Sequence, residues 1–147
     1  MMDLNHIGYP GIANEAIDKG IKYLFSINVN GRWKGFPTLA GESDIWVTGF
    51  VLAPIHHLSQ QTGAIKAAQN YLLRCRHPSG GWSYSIPVPP DADSTAWCLI
   101  ALQLAGAIAT PILEESKKFI WNHFNGSGVS TYTSESGIRE FISAPAA

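Results

Sequence analysis

The sequence has little charge and no run of basic residues. Charged residues make up 14% of the chain, the formal net charge is -1 and the pI is near 6.5. Nucleic-acid-binding domains carry a basic patch or stripe, so we do not expect nucleic acid among the partners. The hydrophobic content of 46% is too high for a disordered chain. The 147 residues are enough for one globular domain and too few for two domains of ordinary size.

Long apolar runs, leader features and metal-binding spacings are also lacking. No apolar stretch approaches the ~20 residues that cross a bilayer. We do not expect MMDLNHIGYPG, at the start of the given sequence, to act as a secretory signal, because it has no basic region followed by an apolar run. We therefore expect a cytoplasmic protein, and peripheral contact with a membrane stays open. Cys75 and Cys98 fall in predicted helices, which favours reduced core thiols over a disulfide. With no CxxC or HxxxH spacing, the sequence predicts no metal site.

What the sequence does have is an internal repeat. AIDKGIKYLFSINVNGRW (residues 16–33) aligns with AIKAAQNYLLRCRHPSGGW (64–82), and SGGWSYS (79–85) aligns more faintly with SGVSTYT (127–133). The period of roughly 48 residues lies in the range of helical-repeat arrays. Each unit contains a predicted outer helix with an apolar stripe, a turn that carries Gly and Trp in the first two units, and a loop with proline.

A second, inner helix is predicted to close each unit. DIWVTGFVLAPIHHL and DSTAWCLIALQLAG align on Thr48 and Thr95, and both are apolar nearly all round, which indicates burial. The outer helices carry lysine and arginine, so they are predicted to face water. A third outer helix is predicted to begin at Thr110 and Pro111. The sequence therefore predicts an all-α stack of outer and inner helix pairs.

The third helix pair is predicted to be incomplete. One further period places its inner helix near Ala144, where the given sequence ends. Its outer helix would then leave apolar residues without an inner partner, and exposed apolar patches mark contacts. Two alternatives stay open: the C-terminal segment folds back as a cap, or a second copy or another chain covers this edge.

Two segments resemble a known family. NYLLRCRHPSGGW resembles the Gln-Trp type repeat of the prenyltransferase and squalene-cyclase superfamily. DADSTAW resembles the Asp-x-Asp-Asp-Thr-Ala motif of class II terpene cyclases, such as squalene–hopene cyclases, with Ser94 in place of the last Asp. The resemblance covers about Ala13 to Tyr132. It implies a single domain over residues 1–147, built as a partial α/α toroid of about two and a half helix pairs.

The same resemblance implies a function. It is the cyclisation of an apolar isoprenoid, started by protonation, with no metal or organic cofactor. In the family the middle Asp of the motif donates the proton, a role that would fall on Asp93, with Asp91 and Ser94 as its supports. The zinc-binding prenyltransferase branch fits less well, because Asp91, Asp93 and Cys98 have no His nearby in sequence.

The residue types suit that chemistry. An acid that protonates an alkene needs an apolar, water-poor cavity, where burial favours its neutral form. The resulting cation is stabilised by aromatic faces. The candidates for this wall are Trp46, Phe50, Trp82, Tyr84 and Trp97.

A structural role for the aspartates is the alternative. An Asp before STAW is a good helix N-cap, and a capping carboxylate is stabilised in its charged form. In the alignment Asp91 falls on Asp44 and Asp93 falls on Trp46, so Asp91 is the better cap candidate and Asp93 the better acid. His56 and His57 lie about ten residues further along the preceding inner helix, ~15 Å away, so neither is expected to reach Asp93.

Three functions therefore stay open. The first is a class II terpene-cyclase-like enzyme. The second is a non-catalytic helical-repeat module that binds a partner protein or an apolar ligand. The third is a fragment of a longer toroid.

Overall fold

The computed structural model describes residues 10–35, 37–38, 41–58 and 62–133. The predicted inner helix near Ala144 lies outside these residues. The described chain is mostly helical, as predicted. It also has an antiparallel hairpin, with two residues in each strand, that was not predicted from the sequence. The elements in order are α1 (Pro10–Ser26), β1 (Pro37–Thr38), β2 (Gly41–Glu42), α2 (Ile45–Ile55), α3 (Thr62–Arg74), α4 (Ala92–Leu104) and α5 (Thr110–Trp121).

The inner helices α2 and α4 form the centre of the fold. Their mutual contact is the most extensive between any two elements. Gly49 allows this close approach, because a Cβ added there would lie 3.1 Å from the backbone nitrogen of Cys98. Leu52, Cys98 and Leu102 are fully buried around this contact. Both cysteines of the chain are free thiols.

The turn after each of the first two outer helices is fixed by a buried tryptophan. The indole N–H of Trp33 donates to the carbonyl of Leu24 at 2.7 Å, and its backbone N–H donates to Oγ1 of Thr48 at 3.0 Å. In the second unit Trp82 repeats both bonds, to the carbonyl of Leu72 at 2.7 Å and to Oγ1 of Thr95 at 2.9 Å. Each tryptophan therefore ties an outer helix to its inner helix.

Each of these turns also packs on the outer helix that follows. A Cβ on Gly31 would lie 2.6 Å from the backbone nitrogen of Ala68 in α3. A Cβ on Gly80 would lie 3.2 Å from the carbonyl oxygen of Glu115 in α5, and Ser116 donates its hydroxyl to the Gly80 carbonyl at 2.6 Å. Both glycines have positive φ, +83° and +101°, which L side chains rarely adopt. Small residues on both sides therefore allow turn and helix to touch.

The ends of the helices carry the sequence signals that usually stop and start helices. After α4, Gly106 adopts φ +60°, and the backbone N–H of Ala107 returns to the carbonyl of Leu102 at 2.8 Å, which satisfies a C-terminal carbonyl. Helix α5 begins with Pro in its first turn, where the missing amide has no helical partner to lose. Pro54 lies inside α2, one residue before its end. No helix of the described ranges is long and apolar enough to cross a membrane.

Candidate functional site

Asp91 caps α4. It has extended backbone angles, and its carboxylate accepts the backbone N–H of Ser94 at 2.7 Å on one oxygen and the Ser94 hydroxyl at 2.7 Å on the other. Asp91 and Ser94 are only 3% and 1% exposed. The pair therefore has the geometry of an N-cap, reinforced by a side-chain hydrogen bond.

The buried position of Asp91 raises the pKa of its carboxyl group. Removal from water is the largest cause, and the nearby charge of Asp93 acts in the same direction. The two bonds from Ser94 lower the pKa but do not offset the burial. Asp91 thus keeps a proton more readily than a carboxyl group in water does.

Asp93 lies in the first turn of α4 and is exposed. Its Oδ2 accepts the indole N–H of Trp46 at 2.7 Å. Trp46 is in the first turn of α2, and the sequence alignment had placed these two residues at equivalent positions. Because the two inner helices lie side by side, equivalent positions on them come into contact. The alignment could thus have indicated this bond.

Three of the predicted aromatic residues form one row across α2 and α4. The rings of Trp46 and Phe50 are stacked, with centroids 5.4 Å apart and planes 9° from parallel. Phe50 meets Trp97 edge to face at 4.8 Å and 73°. Phe50 is 46% exposed, so the row presents aromatic surface to its surroundings.

A cavity of about 850 Å³ opens at the start of α4. Of the predicted site residues, it is lined by Asp91, Asp93, Ser94, Trp46 and Tyr84. The other three predicted wall residues do not line it. Phe50 and Trp97 lie in the aromatic row, and Trp82 is fully buried in the core, bonded to Leu72.

Several lining residues were not predicted. They are mostly small, hydroxyl-bearing or aliphatic. They come from the hairpin and the residues after it, from α4 and α5, and from the segment after α5: Thr38, Ser43, Ala92, Ala96, Ile120, Val129, Thr131 and Tyr132. The backbone N–H of Ala92 donates to the carbonyl of Thr131 at 3.0 Å, which fixes the third turn beside the aspartates. The sequence signal for this wall was the match of SGGWSYS with SGVSTYT, which predicted a third turn.

The two histidines considered as supports lie elsewhere. His56 follows α2, and its Nδ1 lies 2.7 Å from the carbonyl of Ala53. His56 and His57 line a separate cavity of about 540 Å³, none of whose lining residues is shared with the cavity at α4. In the part of the chain that the structure describes, no group of three or more His, Cys, Asp or Glu is placed to hold a metal ion.

Comparison with known proteins shows that this fold is similar to that of a terpene cyclase. No protein-family model matches the chain, and no curated protein matches it. Among solved structures, a protein from Actinoplanes is similar at 33% identity and TM-score 0.75, and the match covers 84% of this chain. Type II terpene cyclase MstE from Scytonema is similar at 26% identity and TM-score 0.74, over 84% of this chain. A variant of MstE in complex with geranylgeranyl dihydroxybenzoate, its substrate, is similar at 28% identity and TM-score 0.73, over 90% of this chain.

These neighbours are much longer proteins. The match covers 38% of the Actinoplanes chain and of apo MstE, and 39% of the chain in the substrate complex. The chain thus has a class II terpene cyclase-like helical fold and spans about two fifths of the length of these neighbours.

Proposed function

We propose that this chain forms the acid-bearing part of a class II terpene cyclase-like enzyme that acts on an apolar prenylated substrate. One observation carries the proposal: Asp93, at the third position of the motif, lines a cavity together with a second, buried carboxyl group and an indole that holds it. The solved neighbour MstE binds geranylgeranyl dihydroxybenzoate, which has an apolar prenyl chain. A cavity of about 850 Å³ is in the size range of small-molecule sites.

Asp93 is the proposed proton donor. Its protonated carboxyl group would give its proton to a carbon of the substrate alkene, and the π electrons form the new C–H bond. The tertiary cation left on the other carbon is attacked by further alkenes. The last cation loses a proton to water, and the Asp93 carboxylate takes up a proton from water, which restores the acid. The net change is an isomerisation, which requires no metal or organic cofactor.

The bound substrate would itself prepare Asp93. Asp93 is exposed in the described chain, and an apolar chain laid over it would remove the carboxyl group from water. Burial penalises the charged form and favours the protonated acid. The indole N–H of Trp46 would hold one carboxyl oxygen, so the other is left to face the alkene.

Asp91 and Ser94 support the acid. Asp91 fixes the first turn of α4 through both of its bonds to Ser94, and this turn positions Asp93. The aromatic row of Trp46, Phe50 and Trp97 is the proposed stabiliser of the cation, since aromatic faces attract positive charge. A longer, squalene-like isoprenoid is the second substrate class to test.

The domain is proposed to be an incomplete α/α toroid over residues 1–147. The chain spans about two fifths of its neighbours, and a second copy, a partner chain or the rest of a longer toroid is proposed to complete the cavity at the C-terminal edge. A contact of the protein with a membrane surface is a further option, because apolar isoprenoids partition into membranes.

The first prediction concerns Asp93→Asn. We expect this variant to lose cyclisation of geranylgeranyl dihydroxybenzoate by at least roughly 10²-fold, as expected when a proton-transfer group is removed. Product formation is measured by mass spectrometry of extracts, with Asp18→Asn, at an exposed position on α1, as the matched control. Unchanged turnover in Asp93→Asn would exclude Asp93 as the donor.

A non-catalytic ligand-binding module is the second candidate, and the exposure of Asp93 favours it. Without a cover over the cavity, water would reach any cation formed there. The two functions separate in one assay: binding of geranylgeranyl dihydroxybenzoate without turnover, in wild type and Asp93→Asn alike, identifies the module.

A further inference from the structure

The outward face of α1 carries large apolar and aromatic side chains of the kind that helices usually bury. Ile17 and Tyr23 are 57% and 63% exposed. One period later, at the aligned positions of α3, Ile65 and Tyr71 are only 5% and 7% exposed. An apolar strip that is buried on one outer helix is therefore open on another.

Between these residues α1 also carries a vacant notch. Gly20 aligns with Ala68 of α3 and Ser116 of α5, both of which are fully buried. Ala68 receives the preceding turn at Gly31, and Ser116 receives the preceding turn at Gly80. A Cβ on Gly20 would meet no atom of the described chain within 4 Å. The strip of Ile17, Gly20 and Tyr23 thus has the composition of a turn-receiving face without a turn. We call it the receiving strip.

The third turn, which follows α5, has no outer helix packed on it in the described chain. Gly128 aligns with Gly80, and Gly126 has a φ of +92°. A Cβ on either glycine would meet no described atom within 4 Å, whereas the first two turns touch the next outer helix. This turn has no following helix to pack on in the described chain.

Large apolar side chains surround the third turn. Trp121 is 71% exposed, Phe124 is 45% exposed and Val129 is 56% exposed. The rings of Trp121 and Phe124 are stacked at 5.3 Å, and Phe124 is bridged to Val129 through the backbone. Leu73 and Phe25, which align with Trp121, are packed against the core. We call this surface of Trp121, Phe124, Gly128 and Val129 the donor edge.

We propose that two copies of this chain associate head to tail, with the donor edge of one copy seated on the receiving strip of the other. The two surfaces are the two halves of the junction that this chain already makes twice internally, at Gly31 against Ala68 and at Gly80 against Ser116. A second copy is the occupant, because every copy carries both halves. The inference extends the assembly part of the proposed function, and it does not depend on the chemistry of Asp93.

Charge also permits this junction. At the second internal junction Arg76 pairs with Glu115 at 2.7 Å. At the proposed junction the aligned positions hold Phe124 and Lys19, so no like charges meet. Because the two surfaces differ, the contact is heterologous, and copies either close into a ring or extend further.

The first test breaks one surface at a time. Gly20→Arg fills the notch of the receiving strip, and Trp121→Glu places a charge on the donor edge. Asn70→Arg, at an exposed position of α3, is the matched control for the first variant. Masses are measured by sedimentation velocity over a concentration series, and circular dichroism checks the helix content of each variant.

We expect wild type and Asn70→Arg to form dimers or larger assemblies. Each edge variant alone should dissociate at least about tenfold more readily, since loss of a central contact costs more than ~1.4 kcal/mol. An equimolar mixture of the two edge variants should recover a dimer, because one intact donor edge and one intact receiving strip remain. If circular dichroism shows that either variant has lost helix, Tyr23→Glu or Phe124→Glu replaces it.

Three results would overturn the proposal. A wild-type chain that stays monomeric at its highest soluble concentration would mean that a fold-back or a different partner covers the edge. Assembly that survives both single variants would place the contact elsewhere. Failure of the mixture to recover a dimer would indicate a contact between identical surfaces. None of these measurements involves turnover, so they leave the proposed enzyme function to its own assay.

Discussion

The first two units of the chain fold alike but differ in the contacts of the aspartate that precedes the inner helix. In the first unit Asp44 is bound by residues outside the helix that it precedes. The hydroxyl of Tyr71 donates to its carboxylate at 2.7 Å, and Arg32 forms an ion pair with it at 3.8 Å. Its side chain makes no capping bond to α2. In the second unit Asp91 turns inward to cap α4 through Ser94. Neither partner of Asp44 recurs there, because Gly81 and Phe119 stand at the aligned positions.

This difference separates the scaffold from the candidate site. Positions that match between units, such as the paired tryptophans and threonines, join outer to inner helices. Positions that differ include the two that contact the aspartate before the inner helix, where Gly81 and Phe119 replace a cation, Arg32, and a phenol, Tyr71. A buried carboxyl group without a cation keeps its proton more readily, which is what an acid site requires. The exchange therefore leaves Asp91 as a buried carboxyl group with a raised pKa beside Asp93, the proposed proton donor.

The largest predicted effect on stability concerns the two tryptophans that occupy matching positions in the two units. Trp33→Ala and Trp82→Ala should each lower the free energy of unfolding by about 3–5 kcal/mol, because each removes a buried indole and leaves a cavity. Urea denaturation followed by circular dichroism measures both. If one of them costs less than about 1 kcal/mol, the two turns do not have the same structural role.

A smaller effect on stability concerns the contacts of Asp44, which do not recur at Asp91. Tyr71→Phe places next to Asp44 the aromatic residue that stands at the aligned position of α5, Phe119. We expect it to lower the free energy of unfolding by about 1.5–3 kcal/mol, the usual value of a hydrogen bond to a charged group. The pKa of the Tyr71 phenol is raised by burial and by Asp44, so the phenol stays a donor throughout the neutral range.

Tyr23→Phe is the matched control, since it removes the same hydroxyl from an exposed ring. It should change the free energy of unfolding by less than about 0.5 kcal/mol. Equal losses in the two variants would mean that the bond to Asp44 contributes nothing.

Much of the fold could be predicted from the sequence because local signals agree with each other. The apolar stripes and the Thr110-Pro111 start both indicate the helices that are found. The hairpin of β1 and β2 has only two residues in each strand, too few for a period-2 pattern to be visible. That the helix pairs belong to a toroid stays a prediction.

The candidate site was only partly predictable, because a cavity depends on elements far apart in sequence. The motif indicated Asp91, Asp93 and Ser94, and all three line one cavity. Residue type alone could not separate an aromatic residue at the cavity from one in the core, so Trp82 and Tyr84 were predicted alike. Trp82 is bonded to a helix carbonyl, whereas the hydroxyl of Tyr84 lies 3.2 Å from Thr38 of the hairpin. Because the hairpin was not predicted, that side of the cavity could not be predicted either.

The smallest predicted effect concerns the cap itself. Asp91→Ala removes both bonds to Ser94 and should cost about 0.5–2 kcal/mol, whereas Asp91→Asn keeps an acceptor for the Ser94 amide and should cost less. The comparison with Asn also has a pH dependence. The folded-state pKa of Asp91 is raised above its unfolded value, so protonation favours the folded state. Its contribution is fully present below the unfolded pKa and is lost as pH rises through the folded pKa.

Wild type should therefore lose stability relative to Asp91→Asn as pH increases from about 3 toward 7, the range that begins below the ordinary Asp pKa. Parallel urea titrations of the two proteins at several pH values measure this difference. The opposite slope would mean that the helix start and Ser94 stabilise the charged carboxylate more than burial penalises it. The distinction between the two units would then rest on Asp93 and Trp46 alone.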